Sequence, residues 1–360
     1  MQKRGSDTVI LSQRSLVLLL AINLVAIAGL GLPQLASRLK TAPPALSPTT
    51  QPSNPLATRS ITPQQAITQT NPQASTPSPT ELPNEMANSH GSLDQGWLWL
   101  SMSDNGYAHL FAFKPLSTSF TRLTASPWDD HDPSFSPSGN YMAYTSRQNG
   151  YWDLFVLDLR SGLATRLTDT GAYEGSPTWS PDEKRLAYAY FDGSHFQVAI
   201  LAVNSPGEAP IRIGEEQASN HSPAWRPDGQ QIAYISSSVG RDRLVVYDLA
   251  QGITQVQSVS PAASTRLQHP AWSPDGHFLA WSEWSGGYRN IYIQDYREPE
   301  QPARLLGSGS WPSWSPDGRF LAVSLEEANL DALMVYRVPS GEVALPPMPL
   351  PGRLYGMAWS

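Results

Sequence analysis

At 360 residues the chain has room for one large β domain or two ordinary ones, and it contains no cysteine. That excludes disulfides, thiol catalysis, Cys-ligated zinc and a lipid-modified N-terminal cysteine. The formal charge of −7 is unevenly spread, because residues 93–360 carry 18 basic against 28 acidic side chains. A domain that acidic repels a phosphate backbone, so nucleic acid is not an expected partner.

Residues 1–15 form a short basic N-terminus with Lys3, Arg4 and Arg14. Residues 16–33 follow as an apolar run (LVLLLAINLVAIAGLGLP) interrupted only by Asn23 until it ends at Pro33. The run is within the length that crosses a bilayer, and the preceding positive charges orient it with the N-terminus in the cytoplasm. A single-pass anchor is expected, with everything after it outside the cytoplasm, periplasmic or extracellular. The alternative is a signal peptide cleaved near Gln34-Leu35-Ala36-Ser37, leaving a secreted protein. Residues 34–92 are rich in Pro, Ser, Thr, Gln and Ala. Such a composition cannot bury enough apolar surface to offset the entropy of ordering, so a disordered, extended tether is expected.

The remainder is a repeat. Ser134-Phe-Ser-Pro-Ser-Gly139, Thr178-Trp-Ser-Pro-Asp-Glu183, Ala224-Trp-Arg-Pro-Asp-Gly229, Ala271-Trp-Ser-Pro-Asp-Gly276 and Ser313-Trp-Ser-Pro-Asp-Gly318 are one motif. Their prolines are spaced by 44, 46, 47 and 42 residues. Each motif precedes two strand-like runs, as in Leu186-Ala-Tyr-Ala189 and Phe196-Gln-Val-Ala-Ile200, and several units end in a short edge such as Thr165-Arg-Leu-Thr168. Four short strands per period of about 45 residues is the arithmetic of a β-propeller blade. Ser, Pro and a final Gly fit a tight turn between antiparallel strands. Glu183 replaces that Gly, so a looser or different turn is expected there.

Residues 96–124 hold three strands but lack the motif-bearing one, and the chain's Ala358-Trp359-Ser360 matches the missing strand. The expected fold is therefore all-β, a six-bladed propeller over residues 93–360, closed by the C-terminal strand. It is preceded by one transmembrane helix and the disordered linker.

These motifs, with the Asp153-Leu-Phe-Val-Leu-Asp158 strand and the Arg-Leu-Thr blade ends, resemble the TolB-like propellers. That family includes envelope binding scaffolds, the gating propellers of prolyl-oligopeptidase-type peptidases, and some lyases built around a metal. The resemblance implies the fold and leaves the function open. Where TolB has a separate α/β domain, this sequence has the apolar run and tether.

Turns joining the first and second strands of each blade share one face with those joining third and fourth, and that motif face reads as short and uniform. The opposite face, called here the loop face, collects Tyr107, Trp128, His131, Asp132, Tyr151, Trp152, Tyr173, Glu174, His221, His269, Tyr288 and Trp311. Large rings and charges on loops over a rigid scaffold are the composition of a binding surface. The same rings also suit a purely covering role over neighbouring blades. His131 and His221 both lie four residues before the motif aromatic, and His269 lies near the same place. With Asp132 and Glu174 the three histidines are candidate ligands for a transition metal. No hydrolase elbow (G-x-S-x-G) and no H-E-x-x-H pair is present.

The expected function is a non-catalytic scaffold binding an envelope protein or peptide, without a cofactor. One alternative is a glycan-binding or metal-dependent glycan-cleaving propeller, and another is a structural envelope protein with no specific ligand.

Overall fold

The computed structural model describes Leu93 and residues 96–117, 119–205, 207–259, 263–326 and 331–360. The basic N-terminus 1–15, the expected membrane span 16–33 and the whole linker 34–92 lie outside the described residues. Among the described residues there is no helix long and apolar enough to cross a membrane.

The strands follow the repeat. The first blade contributes β1 (Leu98–Asp104), β2 (Tyr107–Phe113) and β3 (Phe120–Arg122). The second is β4 (Asp130–Phe135), β5 (Tyr141–Ser146), β6 (Asp153–Asp158) and β7 (Ala164–Arg166). The third is β8 (Glu174–Trp179), β9 (Arg185–Phe191), β10 (Phe196–Ala202) and β11 (Ile211–Ile213). The fourth is β12 (Ser219–Trp225), β13 (Gln231–Ser238), β14 (Arg241–Asp248) and β15 (Ile253–Val259). The fifth is β16 (Arg266–Trp272), β17 (Phe278–Ser285), β18 (Tyr288–Asp295) and β19 (Arg304–Ser308). The sixth is β20 (Ser310–Trp314), β21 (Phe320–Glu326), β22 (Asp331–Arg337) and β23 (Val343–Pro349), and β24 (Leu354–Trp359) follows.

These strands make six four-stranded sheets, and the first is ordered β24-β1-β2-β3. The C-terminal strand is thus the inner strand of the first blade, as the sequence requires. Leu98 pairs with Trp359 and Leu100 with Met357, and the backbones of Trp97 and Ser360 exchange hydrogen bonds of 2.7 and 2.9 Å.

Middle strands are covered on both faces by neighbouring blades, so they read as continuous apolar runs rather than alternating ones. The core is correspondingly divided into six clusters, each shared between two adjacent blades. Each motif tryptophan packs against the preceding blade, next to a fully buried alanine of its second strand. Trp179 meets Ala143, Trp225 meets Ala187, Trp272 meets Ala233, Trp314 meets Ala280 and Trp359 meets Ala322. The alanine between two larger apolar residues in each second strand therefore makes room for the next blade's indole. Two of these rings are also pinned by hydrogen bonds, Trp179 Nε1 donating to the Ser134 carbonyl (3.1 Å) and Trp314 Nε1 to that of Ala271 (3.0 Å).

The turn at Glu183 departs from expectation. It is as tight as the glycine turns: the Glu183 N–H donates to the Ser180 carbonyl at 2.9 Å, as Gly139 does to Ser136 at 2.8 Å. Glu183 takes the left-handed conformation itself (φ 58°). Its carboxylate accepts from the backbone N–H and hydroxyl of Ser138 in the preceding blade's turn, a contact that favours the strained conformation.

Candidate functional site

All six inner strands are irregular at one place. In each, the pairing with the next strand shifts by one residue just before the motif aromatic. The residue three before that aromatic is Asp132, Ser176, Ser222, His269, Trp311 or Gly356, in chain order. The five that are not glycine all adopt left-handed φ between 51° and 53°, and each precedes a proline. Left-handed backbone is costly for bulky residues such as Trp311 and His269, and a repeated outlier of this kind marks a place over-determined by its surroundings.

These positions surround a channel of about 330 Å³ to whose wall all six inner strands contribute. Its wall is not uniform. Asp132 supplies a carboxylate from the second blade, and His269 stands three blades away, across the opening. Trp311 stacks on His269 with ring centroids 3.6 Å apart and planes at 21°.

Asp132 Oδ2 accepts from the Ser176 backbone N–H on the next blade at 3.1 Å. Burial raises its pKa to about 6 despite that bond. Burial lowers His269 to about 3, helped by the nearby His221 and Arg289. His131 is likewise held near 3, by burial first and Arg147 second. His221 is lowered by burial against the opposing pull of Asp242, and its Nδ1 lies 3.0 Å from the Ser222 hydroxyl. All three imidazoles are therefore neutral around pH 7.

A run of rings crosses this end of the ring from the first blade to the third. Tyr355 stacks on His131 (4.8 Å, 4°), and His131 packs against Trp152 (4.5 Å). Trp152 approaches Tyr173 (6.4 Å), and Tyr173 meets Phe196 edge-on (5.5 Å). The Arg147 guanidinium lies 5.6 Å from the Trp152 ring centroid. Such contacts hold large rings in fixed orientations, which lowers the entropy lost when a partner docks.

Of the residues expected on this face, His131, Trp152 and Tyr173 are joined in that run, while Asp132, His269 and Trp311 line the channel. Tyr107, Tyr151 and Tyr288 stand exposed at the second-to-third hairpins of their blades, Tyr288 the most at 74%. Trp128 is half-buried in the connection before β4, and His221 is half-buried within the inner strand β12, opposite Ile235. Glu174 differs from expectation. It is buried between the second and third blades, where Oε1 accepts from the Thr170 hydroxyl at 3.1 Å, and burial raises its pKa. The residue opens an inner strand, and the ladder carries its side chain inward.

The three histidines are not gathered on one centre. His221 and His269 are neighbours on adjacent blades, but His131 is occupied by its two stacking rings. Among the described residues, no group of three His, Cys, Asp or Glu side chains could hold a metal ion. Sequence reasoning missed Tyr355, Phe196 and Arg147. Tyr355 was accessible to it, since it lies four residues before Trp359, as His131 does before Phe135.

The family model described as the TolB beta propeller domain matches residues 90–211. No curated protein matches the chain. Among solved structures, TolB from Acinetobacter baumannii is similar with a TM-score of 0.65 at 18% identity, over 74% of this chain and 67% of that one. An assigned TolB from Agrobacterium tumefaciens is similar at 0.57 and 16% identity, over 74% and 92% of the two chains. A chain of the nidogen–laminin complex is similar at 0.58 and 11% identity, over 73% and 97%. At these identities the likeness is one of fold.

Proposed function

We propose that this chain, a propeller of the TolB-like family, is a non-catalytic scaffold whose loop face binds a protein or peptide at the cell envelope. The observation that carries this reading is the fixed run Tyr355–His131–Trp152–Tyr173–Phe196 beside the channel mouth. Interfaces draw their energy from rigid aromatic anchors surrounded by polar rim, and this face has both. The nidogen–laminin neighbour, a propeller found in a protein complex, supports a protein partner in general terms.

The proposed location rests on the apolar run 16–33 after its basic flank, which would hold the propeller on the outer side of the cytoplasmic membrane. The linker 34–92 would then set its distance from the lipid.

Site-specific photo-crosslinkers at Tyr151 and Tyr288, on the loop face, test the reading in cells. Leu163, exposed at 66% in the turn between β6 and β7 on the motif face, is the control. Capture of one protein from both loop-face sites and not from Leu163 is expected. Equal capture from Leu163, or unrelated products at the two tyrosines, would remove the loop face as the binding surface.

A further inference from the structure

In each blade one residue of the second strand pairs with the motif aromatic, and the third-strand residue opposite it faces the preceding blade. That residue is Phe113, Leu157, Leu201, Tyr247 or Tyr336 in five blades, each packed into an apolar cluster. In the fifth blade it is Gln294. Four residues beyond the aromatic's partner the fifth blade carries Glu283, where the others have Met102, Ser146, Tyr190, Ser236 and Leu325. Strand alternation puts Trp281 and Glu283 on one face of the sheet, and the register puts Tyr292 and Gln294 on the same face. The fifth blade therefore turns a polar flank towards the fourth, where every other blade is uncharged.

The boundary opens there into a cleft of about 460 Å³ at the rim of the disc, a volume in the range of small-molecule sites. One wall is the outermost strand of the fourth blade, β15, through Gln257 and Ser258. Consecutive residues of a regular strand face opposite ways. Here the pairing of β15 with β14 shifts between Val256 and Ser258, and the bulge lets both neighbours line the cleft. The connection from β18 to β19 closes one end, and Gln294 pins it by donating to the Gln301 carbonyl at 2.9 Å.

Two groups in the cleft lack what burial demands. Trp281 is only 2% exposed, yet its indole N–H has no hydrogen-bond partner among the described residues. Glu283 is half-buried, and burial alone raises its pKa, with no cation beside it to offset the effect. An anionic ligand would meet Glu283 with like charge, and an ammonium group would leave the indole N–H unanswered. Hydroxyl groups satisfy both, since each donates one bond and accepts others. Tyr292, stacked on Trp281 (6.0 Å, 17°), and Pro299 and Pro302 supply C–H surface beside these polar groups.

We infer that this cleft binds a neutral saccharide, whose hydroxyls donate to the Glu283 carboxylate and accept from the Trp281 indole N–H and the Gln257 amide. The site lies at the rim between the fourth and fifth blades, apart from the channel and the rings of the loop face. It is independent of the loop-face reading, and either can fail without the other.

Saturation-transfer NMR on the full chain, kept in a detergent without a sugar headgroup, tests the inference. The probes are glucose, galactose and N-acetylglucosamine as neutral sugars, glucuronate as an anion and ethylamine as a cation. Transfer to at least one neutral sugar is expected, and none to glucuronate or ethylamine. Glu283→Ala and Gln257→Ala should each weaken that sugar about tenfold or more, with the melting temperature unchanged. Tyr288→Ala, on the loop face, should leave its affinity as it was. Transfer to no neutral sugar, tighter binding of glucuronate or ethylamine, unchanged affinity in either cleft variant, or an equal loss in Tyr288→Ala would each overturn the inference.

Discussion

Asp132 and Ser176 occupy the same place on adjacent blades, and the carboxylate of the first accepts the backbone N–H of the second at 3.1 Å. The bond ties two left-handed residues together across a blade boundary. It also keeps a carboxylate in a channel wall where burial raises its pKa to about 6.

A carboxyl whose folded pKa exceeds its unfolded value takes up its proton more readily in the folded state. Its ionisation is a burden above about pH 6, relieved as pH falls towards about 4. Asp132→Asn keeps an acceptor for Ser176 and removes the charge. The variant should be more stable than the parent by about 2 kcal/mol at pH 7.5. That advantage should vanish near pH 4. Urea denaturation at both pH values measures it, and a constant difference would show that the charge is not the cause.

His131 has the opposite sign. Held neutral near pKa 3 between Trp152 and Tyr355, it protonates in the unfolded chain at about 6.5 but not in the folded one. Its contribution is complete above pH 6.5 and is lost as pH falls towards 3. His131→Gln should lose stacking at every pH, yet lose less additional stability than the parent on going from pH 7 to pH 5. The expected difference in that loss is about 1–2 kcal/mol. Melting curves across that interval read it directly.

Gly356 closes the ring of inner-strand bulges in the first blade. A Cβ there would come within 2.8 Å of the Asp132 backbone nitrogen and 2.9 Å of Pro133 Cδ. A backbone segment and a proline ring cannot yield as a flexible side chain can. Gly356→Ala should therefore destabilise by about 1–3 kcal/mol. Proteolysis should show the seam between first and second blades opening first.

Ala280 is fully buried under Trp314 and shares its cluster with Ile291 and Leu321. Adding two methyl groups by Ala280→Val forces the indole outward and lengthens its bond to the Ala271 carbonyl. A loss of about 1–3 kcal/mol is expected. A red shift in tryptophan emission should accompany it, which a purely local strain would not produce.

The fold was open to reading because one motif, repeated at near-constant spacing, fixes both the strand count and the missing strand that Trp359 supplies. Much of the candidate site was not. Its shape depends on the bulge in each inner strand, which turns Asp132, His269 and Trp311 towards the channel. The only sequence trace of that bulge is the proline following each of them, and proline alone does not announce a positive φ. Glu174 was misplaced for the complementary reason: a strand's first residue looks like loop until its ladder partner, Tyr190, is known. Distances between rings on different blades, such as Tyr355 and His131, lie beyond any local pattern.

The seam has a kinetic consequence. Five blades are each built from one contiguous stretch, so their hairpins can form by local search. The first blade joins Trp99 to Ser360 across a separation of 261 residues. Contacts that distant form late, because their loop-closure entropy is met only after intervening structure has condensed. The ring should assemble as an open arc of ordered blades and close in a final slow step. The amides of β1 and β24 should then be the last to gain protection from solvent exchange and, on unfolding, the first to lose it.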